Sequence, residues 1–292
     1  MKRLIAAAGL LIFTLAASAS AAPLSLGDLL TRSPAADWRP LDPENTVYMD
    51  LPSGRVVIEL APAFAPNHVA NIKALIRSGY FDDSAIVRVQ DNYVAQWSAP
   101  EGRRITAGHD TLKAEFDRPI GREPFARLAD PDTYAPVVGF SGGFPAARDP
   151  RRRRTWLTHC YGMVGAGRDD SADSGGGKEL YAVIGQSPRN LDRNVTLVGR
   201  VVQGMELLSS LRRGPGEMGF YTNPADHTAI RRVRLAADVP AADRLPLEAL
   251  RTDSATFKAL VQSRRFRKEG WYKYSPGRIG VCNVPLPVRA AH

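Results

Sequence analysis

The chain has 292 residues, two cysteines and a formal net charge of +9, which suits one large domain with a sizeable core plus an appendage. Five histidines without metal-ligand spacing exclude a structural zinc site, and no metal or other cofactor is expected. The basic excess lies in two runs, Arg151-Arg152-Arg153-Arg154 and Arg264-Arg265-Phe266-Arg267-Lys268; without the aromatic interleaving of a single-strand binder, both read as solvated loops and no nucleic-acid partner is expected.

Lys2 and Arg3 precede an apolar run over 4–15, and small residues fill 17–22. This pattern reads as a secretory signal peptide over 1–21, cut after Ala21, with the periplasm or exterior as destination. An uncleaved anchor is the alternative. Loss of Lys2 and Arg3 lowers the charge to +7, and no later stretch is long and apolar enough to span a bilayer. The segment 22–45, rich in Pro, Ala and Asp, reads as a leader with little structure of its own.

Val47, Met49 and Leu51, then Val56, Ile58 and Leu60, alternate on either side of Pro52-Ser53-Gly54, so a hairpin is predicted over 46–60. Pro66 opens a helix whose apolar stripe is Val69, Ile72, Leu75 and Ile76, and Gly79 closes it. Two short strands follow over 85–90 and 93–97. The stretch 98–159, dense in Gly, Pro and Asp, reads as a long insertion or loop excursion. Strands resume over 160–164, 180–184 and 197–202, then a short helix over 205–211 and a closing strand over 230–235. In a C-terminal extension, 236–292, Ser254 caps a helix in which Phe257, Leu260 and Val261 share a face. Many short strands with a helix near each end predict a mainly β fold, a closed antiparallel barrel. No fixed-period repeat supports a solenoid or propeller.

Two motifs carry little. Gly139-Phe140-Ser141-Gly142-Gly143 fits the G-x-S-x-G pattern of hydrolases, but Gly142, Gly143 and Pro145 oppose the helix that motif needs after its Ser. Asp169, Ser171 and Asp173 have the spacing of a calcium loop's first ligands, without the Gly and closing acid. Cys160 and Cys282 suit one disulfide if the chain is exported, closing a loop of about 120 residues and contributing about 3–5 kcal/mol; two buried thiols are the alternative.

The informative residue is Arg88. It sits between Val87 and Val89 in an apolar strand, a short step from Tyr93-Val94-Ala95-Gln96. A charge there is unwelcome in a core and tolerated where the strand opens on a groove; a barrel residue paired with Glu59 or Glu179 is the plainer reading. Three blocks resemble the cyclophilin family of peptidyl-prolyl isomerases. The first runs from Leu51-Pro52-Ser53-Gly54 through Leu60 to Ala65-Pro66-Asn67-His68-Val69-Ala70-Asn71. The second is Gly79-Tyr80-Phe81-Asp82 with Val87-Arg88-Val89 and Tyr93-Val94-Ala95-Gln96. The third is Gly162-Met163-Val164-Gly165-Ala166-Gly167, then Glu179-Leu180-Tyr181, Leu191-Asp192, and Val198-Gly199-Arg200-Val201 with Gly204-Met205.

The resemblance covers about 46–235. It implies an eight-stranded closed barrel capped by two helices, a monomer that needs no cofactor, and proline-containing unfolded or exported polypeptides as substrates. It implies Arg88 and Gln96 as catalytic residues, and Tyr93, Val94, Met163, Val164, Glu179, Tyr181 and Leu191 as the substrate pocket. Tyr93, Met163 and Tyr181 are also the residue types of a plain core. Inside the groove the chain departs from the family pattern at Val87, Gly165, Glu179, Asn190 and Val195. Those departures leave a rival reading, a proline-peptide binding or chaperone-like module with little turnover.

Overall fold

The computed structural model describes residues 25–291; the expected signal segment 1–21 lies outside that range. The principal element is a curled antiparallel sheet of nine strands. Its spatial order is Thr228–Ala229, Ala85–Val89, Val94–Ser98, Glu179–Val183, Met163–Ala166, Leu197–Gln203, Gly54–Leu60, Thr46–Leu51 and Arg232–Leu235. The hairpin over 46–60 forms as its alternation requires, with Leu51 facing Gly54 across Pro52-Ser53. Met49, Ile58, Ile86, Trp97, Val164 and Leu235 fill the concave side.

The expected closed eight-stranded barrel does not form. The two outermost strands, Thr228–Ala229 and Arg232–Leu235, are consecutive pieces of one segment. The first pairs with Ala85 and Ile86, the second with residues 47–50. Between them, the Ile230 N–H donates to Ser84 O at 2.8 Å and the Arg231 N–H to Asp50 O at 2.8 Å. This one segment thus gives its first half to one edge and its second half to the other, and the sheet is a curled nine-strand half-barrel instead of the expected eight-stranded one.

The helix Pro66–Arg77 packs Val69, Ile72, Leu75 and Ile76 into this core. Pro66 suits its first turn, yet Ala65 offers no side-chain cap. The cap comes from the insertion: Glu115 accepts the Asn67 N–H at 3.1 Å and the His68 N–H at 2.9 Å, and lies 2.7 Å from His68 Nδ1. One turn on, Asn71 Nδ2 donates to His109 O (2.8 Å) and Gly176 O (2.7 Å). The helix is thus the peg on which the insertion hangs.

The insertion is no loop excursion. It builds a five-stranded antiparallel sheet in the order Arg118–Pro119, Arg154–Leu157, Phe144–Asp149, Val137–Ser141, Ala126–Arg127. Gly142 and Gly143, at φ 60° and 89°, turn a tight hairpin. Ser141 is buried there and donates to Pro124 O at 3.0 Å, so its pattern marks a turn and not a nucleophile.

The leader and tail also have structure. A helix Leu26–Thr31 contacts the helix Ala255–Arg265, whose Ser254 cap accepts the Phe257 N–H at 3.0 Å. Trp38–Pro40 pairs with Leu247–Leu250, which pairs in turn with Val288–Ala290. Trp38, Phe140, Phe144, Trp156, Phe257 and Leu260 share a second core. The leader gains order because its Trp38 is buried by partners distant in sequence. Nor is the run from Arg264 wholly a solvated loop: Arg264 and Arg265 end the helix, and buried Arg265 pairs with Asp130 of the insertion. Cys160 and Cys282 are bonded, tying the tail to the rest across 122 residues.

Candidate active site

Ile86 and Val89 are both fully buried in the half-barrel core, three residues apart, which strict alternation forbids. A register shift between Ile86 and Arg88 resolves the conflict. Such a bulge re-aims a side chain, and here it turns Arg88 into a groove of about 600 Å³. Tyr93, Gln96, Tyr181, Leu191 and Phe220 also line this groove.

The guanidinium is held on three sides. Nε donates to Met218 O at 2.7 Å, Nη1 to Gln96 Oε1 at 3.0 Å, and Nη2 to Gln90 Oε1. It lies 5.6 Å from the centre of the Tyr93 ring and 5.3 Å from that of Phe220, within cation–π range. Burial lowers its pKa from the ordinary arginine value; an arginine keeps its charge regardless.

Gln96 is the pivot. While accepting from Arg88, it donates through Nε2 to Glu179 Oε2 at 3.0 Å. Glu179 therefore acts on Arg88 through an amide and forms no direct ion pair with it. Glu59 is elsewhere, paired with Arg39 (2.5 Å) and Arg200 (3.2 Å), so neither acid takes Arg88 as a structural partner.

The structure gathers Arg88, Gln96, Tyr93, Val94, Glu179, Tyr181 and Leu191 around the groove. It does not bring Met163 and Val164 there. Val164 is fully buried in the half-barrel core, and Met163 belongs to the second core. Met163 instead lines a cavity of about 280 Å³ beside the disulfide. The physical reason lies at Gly165. A Cβ there would stand 2.3 Å from Cζ and from Oη of Tyr181, so the tyrosine ring lies across the strand and covers it. The Gly165 departure and the tyrosine are one arrangement. Burial pushes the Tyr181 phenol far above its usual range. Its hydroxyl lies 3.0 Å from His159 Nε2, while His159 Nδ1 is 3.1 Å from Asp192 Oδ1.

Gln90, Met218 and Phe220 were not anticipated from sequence. Met218 and Phe220 stand on a loop whose Gly214 and Gly219 backbones nearly touch; a Cβ on Gly214 would come within 2.0 Å of Gly219 O. The available signal was the spacing of Gly214, Gly216 and Gly219 around two large apolar residues. Asp173 of the calcium-like loop accepts the Ala114 N–H at 2.8 Å. No group of three or more metal-ligating side chains occurs among the described residues.

The family model for cyclophilin-type peptidyl-prolyl cis-trans isomerase/CLD matches residues 46–235. A probable peptidyl-prolyl cis-trans isomerase of Brucella suis is 29% identical over 210 residues, covering 71% of this chain and 89% of that protein. Its counterpart in Brucella abortus is 28% identical over the same length. The crystal structure of cyclophilin AquaCyp293 from Hirschia baltica superposes with a TM-score of 0.71 at 25% identity, over 87% of this chain and 94% of that one. This last likeness is too long to fit within 46–235, so it takes in part of the leader or tail. The chain therefore belongs to the cyclophilin-type peptidyl-prolyl cis-trans isomerase family.

Proposed function

We propose that this protein rotates X–Pro bonds in exported polypeptides, with Arg88 stabilising the twisted amide. Resonance makes the amide stiff, with a barrier of about 18–20 kcal/mol, so uncatalysed rotation takes tens to hundreds of seconds. The catalyst must bind the twisted state better than either planar one. As the amide twists, its nitrogen recovers a lone pair. A fixed donor aimed there is worth more in the transition state than in the ground state.

The observation that carries this reading is the state of the Arg88 guanidinium. Three of its five N–H groups are committed to Met218, Gln96 and Gln90. One N–H on each terminal nitrogen remains, in a fork that is planar and permanently charged. Gln96, held by Glu179, orients that fork, while Tyr93, Val94, Tyr181 and Leu191 supply an apolar wall for the pyrrolidine ring. Export is supported by the charged, apolar and small-residue succession at the N-terminus and by a disulfide of the kind that persists in oxidising compartments.

One observation favours the second reading, a proline-peptide binder with little turnover. Gly165 provides no side-chain amide for a substrate backbone, and Tyr181 occupies that space. An isomerisation assay on a proline tetrapeptide, with wild type and Arg88→Ala, separates the two. Catalysis requires a wild-type rate above background that is lost with Arg88. Peptide binding without any Arg88-dependent rate would establish the binder. N-terminal sequencing of protein recovered from the periplasm tests export, with a start at Ala22 expected.

A further inference from the structure

A second cleft, of about 670 Å³, lies on the far side of the loop that carries Leu191. Leu191 lines the proline groove, while its chain neighbours Asn190 and Asp192 line the cleft, so a single turn separates them. The opposite wall belongs to the insertion and includes the hairpin turn that holds the four-arginine run. That run is the sequence feature the isomerase chemistry leaves unused.

The cleft's formal charges nearly balance, but its accessible charges do not. The carboxylates of Asp117, Asp149 and Asp192 have side-chain exposures of 13%, 6% and 6%, and each is already paired with arginine. Arg152, Arg193 and Arg154 are 73%, 40% and 35% exposed. The acids thus serve as buried anchors that fix the guanidinium groups, and what faces solvent is cationic. Arg193 lies 5.1 Å from the centre of the Trp156 ring in the same cleft, which further fixes its direction. Arg153, at φ 55°, takes the left-handed conformation that non-glycine residues rarely adopt. The turn keeps Arg151, Arg152 and Arg153 all exposed, and Arg152 lines the cleft.

We propose that this cleft is an additional substrate subsite, which takes acidic residues flanking the isomerised proline. The proposal rests on the isomerase reading above and names the polypeptide class it prefers: chains with Asp or Glu a few residues from a proline. A substrate seated against Arg88 and crossing the Leu191 turn would meet the arginines directly. Opposite charge along that path strengthens capture and speeds encounter.

Three labelled peptides test this: a neutral proline peptide, and the same peptide extended by four Glu on the N-terminal or on the C-terminal side. Binding by fluorescence anisotropy and isomerisation are both measured, with wild type and Arg152→Ser/Arg193→Ser. One acidic extension should tighten binding by about three- to tenfold at low salt, as two or three exposed ion pairs allow. That gain should vanish at high ionic strength and in the double variant, while the neutral peptide is handled identically by both proteins. Because anisotropy needs no turnover, the subsite can be judged even if the isomerase reading fails. Should the double variant not fold, Arg152→Gln alone and the wild-type salt series give the same readout. Equal binding of all three peptides overturns the proposal, as does a gain that survives the variant. It also falls if single-stranded RNA binds more tightly than the acidic peptide and displaces it.

Discussion

The half-barrel and the accessory body, which the leader, insertion and tail build around the second core, both pair strands antiparallel but draw on different spans of the chain. In the half-barrel, Thr46–Leu51 pairs with Gly54–Leu60 and Ala85–Val89 with Val94–Ser98, each across a short connection. The accessory body draws its core from Trp38, Phe140, Trp156 and Phe257, contributed by three segments far apart in sequence. The candidate site sits on the first, where ladder register fixes Arg88 opposite Gln96. The second depends on long-range ties, and it supplies the charged wall beside the groove. The hairpin that sets Arg88 opposite Gln96 is thus locally encoded, but the rest of the groove and the wall beside it are held from a distance: Val94–Ser98 pairs with Glu179–Val183 and Gly54–Leu60 with Leu197–Gln203.

Four perturbations probe that contrast. The largest effect is expected at the longest tie. Cys282→Ser should remove about 3–5 kcal/mol, read as an earlier urea midpoint, with tetrapeptide turnover by the folded fraction unchanged. A loss of turnover at full folding would show that the two regions are not separable. Arg88→Ala should lower the isomerisation rate by about 100-fold and leave the thermal midpoint in place, since its three partners lie along an open groove.

Gly165→Ala should destabilise by about 1–3 kcal/mol, because its Cβ meets the Tyr181 ring. Combining it with Tyr181→Ala should cost less than the two single changes together; simple additivity would mean that the ring and the glycine are independent.

The smallest effect is at the helix peg. Burial would raise the Glu115 carboxyl, but His68 and the backbone N–H groups of His68 and Asn67 outweigh it and hold the pKa below the ordinary 4.5. A depressed folded pKa stabilises above the unfolded value and is lost as pH falls through the folded one. Glu115→Gln should therefore cost about 1 kcal/mol near neutrality. The difference from wild type should shrink as the pH falls below about 4.5. Denaturant titrations at several pH values give the answer, and a difference that grows in acid would remove Glu115 from the capping role.

Arg88, Tyr93, Val94, Gln96 and Tyr181, which the family resemblance singled out, all line the groove, although the register shift that aims Arg88 breaks plain alternation and was not legible. Met163 and Val164 lie in the two cores and not along the groove, because a tyrosine from the next strand crosses Gly165, which strand pattern cannot reveal. Met218 and Phe220 were invisible because their position follows from close glycine packing in an irregular loop. The insertion read as loop because its strands are short, two of them only two residues long, and because Gly and Pro mark turns without saying what the turns connect.

Local order in the half-barrel, then, was written in the chain: most of its strands, where Pro66 starts a helix, and that one arginine stands alone among valines. Those properties depend on neighbours within a few residues. Whether the sheet closes, what caps the helix, which side of Tyr181 holds the pocket and which charges reach solvent depend on partners outside the local stretch: Leu235 for Val47, Glu115 for the helix start, Gly165 for Tyr181 and Arg193 for Asp117. Hydrogen bonding and burial settle such matters only once the chain has folded, because the contacts that decide them do not exist before then.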